Sequence, residues 1–243
     1  MVVFGNSKKM NNIILKGSKI VEVPYFSNQL TNLNKSVLII GERTGGIEGV
    51  SEKVKQLGFE NVITTDINPS LKDCWLRTNT DWKHIQNDFI EFDETLKFDY
   101  ILSISVFEHF GLWFAGDRMA NGLIQDDSCK WNHDILGINK ACKLLKDKDS
   151  KLIITLPAGP FLNYESTGEP FLKSYDTLRQ NIIKKQIDYN GYKIDNEKFY
   201  YSKDWEQWDE VPSDINNPSY YPMYSPHSPN VIWGLTIKLK NEI

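Results

Sequence analysis

Residues Ser36-Val37-Leu38-Ile39-Ile40 form an apolar run that breaks into the turn Gly41-Glu42-Arg43-Thr44-Gly45-Gly46. A continuous run of this length fits a strand buried on both faces, which is the mark of an interior strand of a parallel sheet. After the turn, Ile47, Val50, Val54 and Leu57 recur at helical spacing, and Gly58 stops the pattern. A buried strand, a tight turn and an amphipathic helix make half of a βαβ unit. Few folds accommodate that opening.

The pattern continues along the chain. "NVITTD" (61–66), the shorter "HIQNDF" (84–89), "LKFDYILSIS" (96–105) and "KLIITLP" (151–157) read as strands. A helix is predicted at 133–146, with Ile135, Ile138, Ala141, Cys142 and Leu145 inward, and another at 174–189. Strands follow at 192–202 and 231–240. Strands alternating with helices predict an α/β fold, a mostly parallel sheet with helices on both faces. Residues 1–35 read as an N-terminal annex, and 36–243 as one domain, a size that suits a single core. Two stretches, 110–131 and 203–230, lack regular pattern and are rich in Trp, Tyr and Phe. Loops of that length inside a compact domain usually carry function, so both are expected to wall a substrate site.

Composition removes several classes. A net charge of −4 argues against a nucleic-acid binder, which carries a basic excess. Cys74, Cys129 and Cys142 have no metal or redox spacing, and free thiols in a reducing compartment are expected. The first residues contain no signal-like apolar run, and no stretch approaches the roughly 20 apolar residues that span a bilayer. A soluble cytoplasmic protein is the expectation. The paired acids Asp126-Asp127 are read as solvated, and no metal is expected.

In an open α/β sheet, ligands bind beyond the carboxyl ends of the strands. The first strand opens there into the glycine turn. The second ends in Asp66, twenty-one residues after Gly45, where a carboxylate can accept both hydroxyls of a ribose. The third ends in Asn87-Asp88-Phe89, an acid able to bond an adenine amino group beside an aromatic able to cover its face. Together they predict an adenosine-type ligand. Arg43 stands where a dinucleotide loop needs glycine for close approach of a pyrophosphate. S-adenosylmethionine is an adenosine ligand without a pyrophosphate, and it escapes that obstruction.

The arrangement resembles the class I S-adenosylmethionine-dependent methyltransferases over roughly residues 36–160. "VLIIGERTGG" lies over that family's glycine motif, "TTDINP" over its ribose-binding acid, and "NDF" over its adenine-side acid. "FDYILSISVFEHFG" resembles the fourth-strand motif, and "LLKDKDSKLIITLPAG" the entry to the fifth strand. The opening is also similar to a methyltransferase-like branch of unassigned function. The resemblance implies a Rossmann-like, doubly wound, seven-stranded sheet and S-adenosylmethionine as cofactor. It implies a cofactor site of Gly41, Glu42, Thr44, Gly45, Asp66, Ile67, Asp88, Phe89 and Ser103. The chain departs from the family at Ile39, where an acid is usual, and at Arg43. Those departures keep open a non-catalytic adenosine-ligand-binding module; a nucleotide-dependent oxidoreductase is the other alternative, and Arg43 is the feature against it.

Methyl transfer needs a nucleophile held in line about 3–3.5 Å from the methyl, and a base if that nucleophile is a hydroxyl. "SVFEHFGLWFAGD" (105–117) follows the fourth strand and offers Glu108, His109 and Asp117. His109 has the intrinsic pKa best matched to the task. Asp134, which opens a helix, is most simply a first-turn acid favoured by the helix dipole. Trp113, Trp205, Trp208 and their aromatic neighbours favour a small-molecule or glycan acceptor over protein or nucleic acid, with no membrane partner.

Overall fold

The structure, a computed structural model, describes residues 9–10, 13–15, 17–41, 49–67, 80–112, 132–159, 163–166, 169–213 and 230–240. A two-residue hairpin, β1 (Lys9–Met10) and β2 (Ile13–Ile14), precedes helix α1 (Lys19–Ser27). Then come β3 (Val37–Ile40), α2 (Val50–Gln56), β4 (Val62–Asp66), β5 (Lys83–Gln86) and β6 (Tyr100–Ile104). Next are α3 (His133–Lys143), β7 (Lys151–Ala158), the hairpin β8 (Asn163–Ser166) and β9 (Glu169–Lys173), and α4 (Thr177–Tyr189). The chain closes with β10 (Tyr192–Tyr201), β11 (Asp209–Val211) and β12 (Val231–Leu239).

Eight strands form the central sheet in the order β11-β10-β12-β7-β6-β3-β4-β5. β3 pairs in parallel with β4 and β6, β4 with β5, and β6 with β7. β12, β10 and β11 each join antiparallel. From β3 the chain winds outward in one direction through β4 and β5, then returns to lie on the other side as β6 and β7. The sheet is doubly wound, and its topological switch falls between β3 and β6, the crevice where such folds hold ligands. The expected α/β architecture holds.

Alternation within β3 sorts the core. Val37 and Ile39 pack on one face with Val23 and Phe26 of α1 and Val54 of α2. Leu38 and Ile40 pack on the other with Ile138 and Cys142 of α3 and Ile183 and Ile187 of α4. Helices therefore cover both faces, and the purely apolar sequence of the strand is explained.

Three differences from the sequence expectation have local causes. The sheet has eight strands rather than seven, because Asp209–Val211, inside the expected loop 203–230, pairs with β10 through Phe199↔Val211. The strand predicted at 84–89 ends at Gln86, and Phe89–Glu91 forms a 3₁₀ turn instead. The annex holds a buried helix, α1, with Pro24 inside it. A proline there removes an N–H donor and breaks the pattern that signals a helix, yet its neighbours Val23, Tyr25 and Phe26 are buried against the sheet. No helix among the described residues is long and apolar enough to cross a membrane.

Candidate active site

The carboxyl ends of β3, β4, β6 and β7 share one edge of the sheet. Gly41, Asp66, Ile67 and Ser103, the predicted site residues of β3, β4 and β6 within the described chain, lie at or beside it. Gly41 begins the turn after β3 with φ +73° and donates its N–H to the Thr65 carbonyl at 2.7 Å. A Cβ on Gly41 would lie 2.2 Å from Cγ1 of Val106, so this turn and the turn after β6 touch without room for a side chain. Glu42, Thr44 and Gly45, and with them Arg43, lie outside the described residues. Ile39, where the family has an acid, is 2% exposed within the apolar layer facing α1.

Asp66 ends β4 and is half-buried. Its carbonyl accepts the Asn87 N–H at 3.0 Å, and the Ile67 carbonyl accepts from Gln86 Nε2 at 3.2 Å. These bonds tie the β4 and β5 ends together. Asp88 is exposed and uses one carboxylate oxygen to cap the 3₁₀ turn, accepting the Ile90 N–H at 3.0 Å. Phe89 is buried against Phe92, Phe107 and Phe110, with ring centroids 5.7, 6.2 and 6.2 Å away. Its ring supports the core beneath the site and is no exposed stacking face, contrary to the adenine-covering role expected. Ser103 and Thr65 are fully buried beside Ile40, in register on either side, and neither hydroxyl has a hydrogen-bond partner. Buried polar groups are nearly always paired, so two orphan hydroxyls at a strand end mark a place for a polar ligand or water.

The turn after β6 is clamped at both ends. Ser105 holds φ +55°, a left-handed backbone that costs a non-glycine residue about 1–2 kcal/mol. Its N–H meets the Thr155 carbonyl at 3.2 Å and the Thr155 hydroxyl at 3.1 Å. Its hydroxyl donates to Glu22 Oε1, which also accepts from Thr155 Oγ1 at 2.6 Å. Oε2 of Glu22 accepts from Ser18 Oγ at 2.8 Å and pairs with Lys19 Nζ at 3.0 Å. Burial alone would raise the Glu22 carboxyl. The Lys19 charge and the bonds from Ser105, Thr155 and Lys19 outweigh it and hold the carboxylate below the ordinary range.

At the far end, Lys173 Nζ donates to the Phe110 carbonyl at 2.6 Å. Lys173 is fully buried and faces Asp134, also fully buried, at 3.4 Å. Arg179 grips Asp134 with Nε to Oδ2 at 3.1 Å and Nη2 to Oδ1 at 2.6 Å. The reading of Asp134 as a simple first-turn acid is therefore corrected. It is the hub of a buried ionic cluster joining α3, β9 and α4.

Glu108 sits between the clamps, in the 3₁₀ turn Phe107–His109. It is 3% exposed, and its Oε2 has no hydrogen-bond partner. Burial pushes its carboxyl up to about 8; the negative charges of Glu22 and Asp134 add to that, while a backbone bond and Lys19 oppose it. His109 is half-buried, and its N–H donates to the Val106 carbonyl at 3.0 Å. Asp117 and Trp113 lie outside the described residues. A carboxyl kept protonated by folding favours the folded chain below its ordinary value of 4.5, an advantage lost as pH climbs to about 8. Glu108→Gln cannot ionise. Its stability relative to wild type should rise between about pH 5 and pH 8, by up to about 1.4 kcal/mol per unit. A difference that stays constant across that range, measured by urea unfolding, would show that Glu108 ionises normally.

Within the expected loop 203–230, Trp205 and Trp208 are packing, and the aromatics beyond residue 213 lie outside the described residues. Trp208 is fully buried, and Trp205 stacks edge-on against it at 5.7 Å while donating its indole N–H to Asn230 at 3.1 Å. The Trp205 ring also lies against Gly17, where a Cβ would come within 2.9 Å. Trp205 thus packs on the segment leading into α1, and Trp208 backs it. The sequence reading also missed Glu22, Lys173 and Arg179. Glu22 carried one readable signal, a lone acid inside the apolar stretch "KIVEVPYF".

No protein-family profile matches the chain, and no curated protein matches it in sequence. Solved structures do share its fold. An S-adenosylmethionine-dependent methyltransferase from Clostridium acetobutylicum superimposes with TM-score 0.54 and 12% identity, over 92% of this chain and 90% of that one. The 1,6-didemethyltoxoflavin-N1-methyltransferase of Burkholderia thailandensis, crystallised with S-adenosylhomocysteine, gives TM-score 0.54 and 11% identity, covering 90% of this chain and 76% of its own. The N-methyltransferase NodS of Bradyrhizobium japonicum, also with S-adenosylhomocysteine, gives 0.50 and 11%, covering 91% and 89%. The chain thus has the Rossmann-like α/β fold of the class I S-adenosylmethionine-dependent methyltransferases.

Proposed function

We propose that this protein is an S-adenosylmethionine-dependent methyltransferase that acts in the cytoplasm on a small-molecule or glycan acceptor, at a hydroxyl. The observation that carries the reading is the carboxyl edge itself. A side-chain-free contact of Gly41 with Val106 adjoins Asp66 at the next strand end, two buried orphan hydroxyls and the unpartnered oxygen of Glu108. These groups fit a polar, adenosine-sized ligand. Asp66 would accept the ribose hydroxyls, Asp88 the adenine amino group with its second oxygen, and Ser103 would meet the ligand from below. Gly41, Glu42, Thr44, Gly45 and Ile67 would complete the binding turn. The bound cofactor supplies an electrophilic methyl group on a sulfonium. Glu108, the best-placed acid on the β6 turn, would take the acceptor's proton, with His109 and Asp117 as the other candidates on that segment. Neighbouring negative charge disfavours ionisation of Glu108 and a cation at the site favours it, which suits a base working near neutral pH.

The test is binding. S-adenosylhomocysteine at about a hundred times its Kd should stabilise the fold by about 2.7 kcal/mol, a melting shift of roughly 5–10 °C for a chain of this size. Asp66→Ala should remove most of that shift. Binding of a nicotinamide dinucleotide with no response to S-adenosylhomocysteine would instead make the protein an oxidoreductase. One observation favours a second reading, a binding module without chemistry: position 39 presents a buried isoleucine and no carboxylate. That reading predicts that bound S-adenosylmethionine is never consumed, whatever acceptor is offered.

A further inference from the structure

The β6 turn starts at a strained residue, and what holds it comes from outside the nucleotide-binding unit. We propose that Glu22 of α1 is a positioning residue for the candidate site, acting through Ser105 on both Val106 and Glu108. For its part in catalysis the inference rests on the methyltransferase reading; the geometry stands without it. An ionised carboxylate has about four acceptor sites. Those of Glu22 are taken by Ser105 and Thr155 on one oxygen and by Ser18 and Lys19 on the other. Glu22 therefore has nothing left to offer a ligand, whereas Glu108 keeps an oxygen without a partner. The two buried acids divide the work. One fixes the turn and the other faces the chemistry.

The path is short and contiguous. Glu22 binds the Ser105 hydroxyl and so secures a left-handed backbone that serine alone disfavours. The next residue, Val106, presses on Gly41 and sets the distance between the two turns that would grip a cofactor. Two residues further lies Glu108. The groups around Glu108 are Glu22 and Lys19 from α1, Asp134 from α3, Tyr175 after β9, and its neighbour His109, with Lys173 bonded to the Phe110 carbonyl of the same turn. Replacing Glu22 with glutamine keeps the shape, removes a negative neighbour of Glu108 and removes the negative charge that Lys19 pairs with. Both changes favour the ionised form of Glu108.

The experiment follows the Glu108 side-chain carboxyl by carbon NMR as a function of pH, with Glu108→Gln identifying the signal. In Glu22→Gln the titration midpoint should fall by about one pH unit or more. A folded Glu22→Gln with an unmoved midpoint overturns the proposal. Ser105 supplies the second arm, measured by calorimetry with S-adenosylhomocysteine. Ser105→Ala, which cannot reach Glu22 and dislikes the left-handed backbone, should bind about tenfold more weakly, and Ser105→Gly, at ease in that backbone, no more than about threefold. Wild-type affinity in Ser105→Ala overturns the proposal even if Glu22→Gln does not fold. A wild type that binds no S-adenosylhomocysteine while the Glu108 midpoint still moves supports the Glu22 coupling and sinks the methyltransferase reading.

Discussion

Asp134→Ala should cost about 3–5 kcal/mol of folding stability, the largest single effect expected among the polar groups of the site. Lys173 has no exposed side-chain surface, and the deletion leaves its ammonium buried beside Arg179 without the carboxylate that both face. For a chain of this size the melting temperature should drop by roughly 6–20 °C. The loss belongs to the stranded charge more than to the bond itself. Pairing Asp134→Leu with Lys173→Met should therefore recover much of it, since well-packed apolar replacements of buried ion pairs are often neutral. Denaturant unfolding of the single and double variants checks this, and a cost below about 1 kcal/mol for Asp134→Ala would show that water reaches the cluster.

Gly41→Ala is the second large effect. The added Cβ would lie 2.2, 2.5 and 2.9 Å from Cγ1, Cγ2 and Cβ of Val106, so rotating the valine cannot clear it. Overpacking of this kind costs about 1–3 kcal/mol, and the left-handed backbone adds about 1–2. The expected total is about 2–5 kcal/mol, with loss of S-adenosylhomocysteine binding because the two turns must separate. Val106→Ala in the same chain should return most of the packing part, keeping only the 2.9 Å contact with the Cβ of residue 106, and leave the backbone part. Thermal unfolding of both variants separates the two, and an undisturbed single variant would mean that the turns are not in contact.

Much of the fold is legible in the sequence because its signals are local. Val37–Ile40 reads as a doubly covered strand from its composition alone, and Asp66 is placed at a strand end by counting from the glycine turn. What escaped is non-local. Pro24 disguises α1 as irregular chain, although the helix is kept by its burial against β7 and β12. Asp209–Val211 is too short and polar to announce a strand, and only the free edge of β10 makes it one. Asp134 obeys the rule for a first-turn acid, and nothing nearby in sequence shows Lys173 and Arg179 closing on it from 39 and 45 residues away. Trp205 and Trp208 show the opposite failure. Aromatics in a patternless stretch suggest a ligand wall, and these two pack on each other, with Trp205 also lying against Gly17 before α1.

The placement of α1 also orders events during synthesis. Tyr25 of the helix finds its partner Thr236 only 211 residues later. At about 5–20 residues per second that interval is roughly 10–40 s. Through it, Ile20, Val23 and Phe26 have no finished sheet to cover them, and Glu22 must wait for Thr155, 133 residues downstream, to complete its bonds. Closure of α1 over β7 and β12 is thus a late step of folding, and the turn that carries Glu108 acquires its final shape only at that closure.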